Sequence, residues 1–171
     1  IGVNISKFTK QNDGAMQILC LSDIQNGNFD NSSIGRYALK SEKKMNLEKY
    51  KVENGDILIS NKGPSVKICM VSDVNSNTYI SSSFFRVRAK ENVLYPAFLK
   101  YYLESPFGQF LLKSRQLISS TNIINTPSFV TLPVHYLPYE EQVALVDKLV
   151  AQESAIYEKI ANLKQEIDEV K

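Results

Sequence analysis

The residues that could do bond-making chemistry are few, and none sits in a pattern that would let it. The single histidine, His135, lies in the apolar run Leu132–Leu137, where a hydrogen-bonded structural histidine is expected rather than a catalytic base. A divalent-metal nuclease needs an acid followed by Glu-x-Lys on a neighbouring strand, to hold the metal and orient water. Asp30, Glu42 and Lys44 supply the letters, but SEKKM (41–45) is too polar for a core strand and reads as a solvated charge run. An amino-methyltransferase needs an Asn-Pro-Pro-aromatic pocket for its target base. Asn125-Thr126-Pro127-Ser128 departs from that at its second position and lacks the aromatic. Gly63 is the only glycine between 56 and 107, so that stretch holds no phosphate-cradling loop. Cys20 and Cys69 sit in apolar runs without zinc-ligand spacing and are expected as buried free thiols of a reducing cytoplasm. The expectation is a non-catalytic chain with no metal and no cofactor.

What remains is chemistry of recognition. Long cations suit phosphates, while Arg, Lys, Asn, Gln and Ser suit base edges. The turn carrying Asn61, Lys62, Ser65 and Lys67 offers donors at a hairpin tip, with Gly63 allowing close approach of the backbone. Arg86 and Arg88 point to one face of a strand, because side chains alternate along it. That face should be basic; solvent exposure without function is the competing reading. Lys113, Arg115 and Gln116 end a short helix, where they could instead complement its dipole. Ser119, Ser120, Thr121, Asn122 and Asn125 could bond to bases, or could cap and turn the chain. Lys7, Lys10, Lys40, Lys43 and Lys44 are further candidate phosphate contacts, whereas Tyr101, Tyr102, Phe107 and Phe110 recur at helical spacing and are expected in the core.

These residues need a scaffold, and 171 residues are enough for one ordinary domain and an appendage. Strands are expected over 1–12, 16–22, 56–60, 66–71, 78–90 and 129–137, with turns at Asn26-Gly27, Asn54-Gly55 and 61–65. A short strand and a helical turn are expected between Ile34 and Lys51, and 118–128 reads as a polar loop. Pro96 and Ser105-Pro106 open two short helices. The fold class is α+β: a strand-rich curved sheet or half-barrel (1–137) with short helices, followed by one long C-terminal helix (138–171). No run approaches a membrane span, and no signal peptide is visible. The chain begins at Ile1 rather than Met and is expected to be a piece of a longer protein.

After Pro138 the sequence runs without Gly or Pro to Lys171, with Glu140 and Glu141 at the positive end of the helix dipole. One face repeats in steps of four and three: Val146, Leu149, Glu153, Ile156, Ile160, Leu163, Ile167 and Val170. That is a coiled-coil seam in which only Glu153 is polar. Its expected partner lies outside this fragment; the competing reading packs the stripe on the helix's own body. Charge divides along the same line. Four lysines against eight acids give the helix −4, and the body, with 16 basic and 10 acidic residues, carries +6. A polyanion partner for the body and a protein partner for the helix follow from that asymmetry.

Four stretches, taken in order, resemble the specificity subunits of type I restriction–modification systems. They are SDIQNGNFD (22–30), VENGDILISNKGPSVKICMV (52–71), YPAFLKYYLESPFGQFLLKS (95–114) and LPVHYLPYEEQVALVDKL (132–149), the last with Gln142 at the helix start. The loop at 119–126 reads SSTNIINT, where many members carry a glycine near its start. The family normally has two recognition domains and two long helices, so the resemblance implies half a subunit or a single-domain relative. It further implies a cytoplasmic module that reads one half of a bipartite double-stranded DNA site. Such a module recruits adenine methyltransferase subunits and, through them, the ATP-driven restriction subunit. The long helix would set the gap by pairing with a second recognition half or a second copy. Two alternatives stand beside it: the recognition domain of a fused restriction–methylation enzyme, and a coiled-coil adaptor with no nucleic-acid role.

Overall fold

The computed structural model describes residues 1–40, 46–117 and 122–169. Its organising strand is β4 (Ile57–Ser60), an unbroken apolar run buried on both faces. It pairs antiparallel with β5 (Ile68–Met70) on one side and with β7 (Phe84–Val87) on the other. Alternation sends Ile57 and Ile59 into a core beneath the helices, with Phe85, Leu99, Leu103 and Leu112. Leu58 points the other way, into a second core with Leu19, Ile24, Ile80 and Phe84. Four further strands form a mixed sheet beside that second core. They are β1 (Phe8–Lys10), β2 (Met16–Leu19), β3 (Arg36–Leu39) and β6 (Thr78–Ile80), in the order β1-β3-β2-β6, with β2 and β6 parallel. The body is thus α+β with open sheets, as the strand spacing predicts.

The single strand expected over 78–90 is in fact two, β6 and β7, in different sheets. Three serines make the corner. Ser81 N–H donates to the Leu19 carbonyl, Ser82 N–H to that of Val3, and Asn61 N–H to that of Ser83. Small polar residues let the backbone change sheets without glycine or proline, so no sequence punctuation marks the break. The opening strand is also shorter than expected, since Ile5–Lys7 is a 3-10 turn. Cys69 is fully buried, and burial pushes its thiol up to about 11; the half-buried Cys20 thiol is raised for the same reason.

Helices α1 (Pro96–Glu104) and α2 (Pro106–Ser114) each start on proline, and the Ser105 hydroxyl caps the second by accepting from Gly108 N–H at 3.1 Å. Gly108 is where the two helices touch: a β-carbon there would collide with the Tyr102 carbonyl and the Leu103 backbone. The expected polar loop after α2 carries regular structure among its described residues. Its ends form a two-stranded hairpin, β8 (Gln116–Leu117) with β9 (Ile123–Ile124), and α3 (Thr126–Val130) follows. The strand expected over 129–137 is not one. Asn125 caps α3, whose Phe129 stacks on Phe85 at 4.1 Å, and residues 132–138 run on without a strand partner. His135 is exposed in that segment and not seated in an apolar strand as expected.

The long helix, α4 (Tyr139–Glu169), has 31 residues and a length of about 46 Å. Its root is Gln142, 1% exposed. The amide accepts from Tyr95 N–H at 2.8 Å and donates to the carbonyls of Val93 (3.0 Å) and Leu137 (2.8 Å). Val146 is buried beside it and Leu149 half-buried.

Candidate nucleic-acid interface

The structure sorts the candidate recognition residues by the two ends of β4. At its C-terminal end the turn 61–65 meets the β8–β9 hairpin, two segments about sixty residues apart in sequence. Lys62 and Ile123 form an antiparallel bridge, Ile124 N–H donates to the Asn61 carbonyl at 2.8 Å, and the Gln116 amide donates to the Gly63 carbonyl at 3.1 Å. Lys62 and Ser65 are exposed on this surface, and Asn122 takes a positive φ of 45°. Lys113, exposed in the last turn of α2, and Arg115 lead into the same hairpin. Ser119, Ser120 and Thr121 lie outside the described residues, as do Lys43, Lys44, Glu42 and Val170.

Three of the expected donors are committed to the fold. Asn61 is 8% exposed, and its amide donates to the Ser82 carbonyl at 2.9 Å. The Lys67 ammonium donates inward, to the carbonyls of Leu21 (3.1 Å) and Ile24 (2.7 Å). Asn125 accepts from Ser128 N–H at 2.8 Å as the cap of α3, the capping alternative that its position left open. Gln116 serves the hairpin with its NH2 group; Arg115 makes a 3.5 Å contact with the Thr131 carbonyl.

Arg86 and Arg88 do share a face, but at the opposite end of the sheet, beside Ile57. The expected basic face is neutralised there. Arg88 holds the Asp56 carboxylate with two bonds, Nε at 2.8 Å and Nη2 at 2.9 Å, and reaches Glu53 at 2.7 Å. Asp56 is 1% exposed and also accepts from Glu53 N–H. Arg86 donates to the Lys51 carbonyl and lies 4.0 Å from Asp56. A buried carboxylate needs a cation to remain charged, and this pair supplies it. Asp56, an acid abutting the apolar run of β4, was a sequence signal for a buried carboxylate, though not for which cation meets it.

A second surface belongs to α4. The seam divides at its one polar residue. Val146 and Leu149 face the body, Glu153 accepts from Tyr101 Oη at 2.7 Å, and beyond it Ile156, Ile160, Leu163 and Ile167 stand 41–57% exposed. The reading that packs the stripe on the helix's own body therefore holds for its first part, and the remainder is exposed. The bond to Glu153 raises the Tyr101 phenol to about 12. Two aromatics expected in the core are not: Phe107 and Phe110 are 58% and 66% exposed on α2. Phe107 borders a groove of about 560 Å3 with Phe98, Tyr102, Val134, Tyr136 and Leu145. Among the described residues no His, Cys, Asp and Glu cluster could hold a metal ion, and no helix is long and apolar enough to cross a membrane.

The fold is similar to part of a solved specificity subunit. The HsdS subunit from Thermoanaerobacter tengcongensis superposes with a TM-score of 0.64 over 84% of this chain, at 19% sequence identity. The chain therefore has an HsdS-like fold, that of the family which its four sequence stretches resemble. It corresponds to 37% of the length of that subunit. No protein-family model matches the chain, and no curated protein sequence does.

Proposed function

We propose that this chain is a target-recognition domain of a type I specificity subunit, non-catalytic and cytoplasmic. In this reading it binds one half of a bipartite duplex DNA site and directs adenine methyltransferase subunits, and through them the restriction subunit, to it. The observation that carries the reading is the convergence of the Lys62–Ser65 turn with the 116–124 hairpin on a body of HsdS-like fold. Lys62 and Lys113 contact phosphates, and Ser65 and Asn122 face the bases; Ser119, Ser120 and Thr121, outside the described residues, remain candidates by sequence alone. Residues 1–137 read the DNA, and 138–171 form the arm that sets the distance to a second half-site. Beyond Glu153 the seam pairs with the helix of a second recognition half or of a second copy.

The test is a methylome. Genomic DNA is sequenced for N6-methyladenine with the gene intact and deleted, the neighbouring methyltransferase gene being retained. Loss of one gapped, two-part motif on deletion is the expected result. An unchanged methylome overturns the reading and leaves the adaptor as the one to pursue.

A further inference from the structure

The hairpin tip Gln25–Asn28 lies outside the recognition residues discussed so far. Gln25 and Asn28 exchange backbone bonds of 2.8 and 3.0 Å across a two-residue turn, in which Asn26 and Gly27 take φ of 50° and 74°. Positive φ at both central residues makes a tight primed turn, the geometry that Asn-Gly favours. Its base is clamped by Lys67, whose ammonium ties the Leu21 and Ile24 carbonyls to the start of β5. Leu21 in turn touches the 61–65 turn, a β-carbon on Gly63 coming within 4.0 Å of Leu Cδ2. The tip itself lies close to the end of α1 beside Glu104 and borders a cleft of about 470 Å3 facing Gln109 of α2.

The charged and amide groups around this cleft are already engaged: Glu104 with Lys100, Gln109 with the Leu103 carbonyl, Lys67 with its two carbonyls. The exposed side chains of Gln25 and Asn26 make no hydrogen bond among the described residues. Two such amides on a tight turn, clamped at its base by Lys67 and adjoining a turn that carries an exposed lysine, have the chemistry of sequence readout. A carboxamide pairs a donor and an acceptor with adenine N6 and N7 in the major groove, and being uncharged it adds nothing to the salt-dependent attraction. We infer that Gln25 and Asn26 are specificity-determining residues that read an adenine edge of the half-site, with Lys67 the residue that positions them. This inference rests on the duplex-DNA reading above.

The experiment replaces both amides in the full-length gene as Gln25→Ala with Asn26→Gly; glycine keeps the primed turn. N6-methyladenine is then mapped in the native host. The expected motif keeps its gap and all but one or two of its bases, with discrimination at those positions falling about 5- to 150-fold. Lys67→Met, which keeps the aliphatic stem, relaxes the same positions. A motif unchanged at every base overturns the inference while the gene-dependent methylome stands; a methylome that never depended on the gene removes the DNA reading itself. If the double variant abolishes methylation, the purified protein is titrated with a motif-bearing and a scrambled duplex. Equal binding to both supports the inference. Loss of binding to both, or a lowered melting temperature, overturns it by making the tip a structural element.

Discussion

At the scale of single residues, the body's positive charge is unevenly available. Arg88 and Lys67 are bound into the fold, whereas Lys62 and Lys113 are exposed. Arg88→Ala strips the buried Asp56 carboxylate of its two bonds to Arg88 and leaves it the Glu53 N–H and the Arg86 guanidinium at 4.0 Å. Breaking a fully buried pair costs about 3–5 kcal/mol, but the Arg88 side chain is 44% exposed and water replaces part of it. The expected loss is about 2 kcal/mol, read as a lower urea midpoint at constant m-value, with no change in the salt dependence of DNA binding. A reduced salt slope would return Arg88 to the DNA contacts. Arginine spacing on a strand was legible in the sequence; its partner was not, because Asp56 lies 32 residues away and only sheet register brings the two together.

At the scale of elements, the seam of α4 divides at Glu153 into a part packed on the body and an exposed part. The Tyr101 bond to Glu153 raises the phenol from an ordinary 10 to about 12. A raised acid of this kind contributes stability that is fully present below the unfolded value and lost as pH rises through the folded one. Wild-type protein should therefore melt higher than Tyr101→Phe below pH 10, and the gap should close between about pH 10 and 12. A gap independent of pH across that window would mean that Tyr101 acts by packing alone. Past Glu153, Ile160→Asp or Leu163→Asp should leave the melting temperature of the isolated chain unchanged, since both positions are exposed. The same changes should abolish helix-mediated association in sedimentation velocity, because a charge at a seam position is buried without a partner. The heptad was readable as a period, but which residues meet the body depended on where α1 ends.

At the scale of the whole molecule, charge divides into a basic body of +6 and an acidic arm of −4, and the proposed duplex partner belongs to the body. DNA affinity should fall linearly on a log–log plot against salt. Lys62→Ala and Lys113→Ala should each flatten that slope by about 0.9 if each neutralises one phosphate. Unchanged slopes in both variants would move the reading face elsewhere on the body. The bond of Ile124 N–H to the Asn61 carbonyl and the Lys62–Ile123 bridge join the 61–65 turn to the segment that follows α2, which makes these two exposed lysines the ones to test.

The sequence by itself determined the elements whose signals are local: the turns at Asn26-Gly27 and Asn54-Gly55, the proline starts of α1 and α2, the buried strand β4, and the whole of α4 with its seam. Periodicity, capping and backbone permissiveness act over a few residues and can be read along the chain. Tertiary structure decided the rest. It split 78–90 between two sheets at Ser81–Ser83, turned 126–130 into a helix that stacks Phe129 on Phe85, and left 132–138 without a strand partner. It also settled which polar side chains remain free, turning Asn61 and Lys67 inward and leaving Lys62 exposed. Those outcomes depend on what lies opposite each residue across the fold, and one-dimensional order carries no record of it.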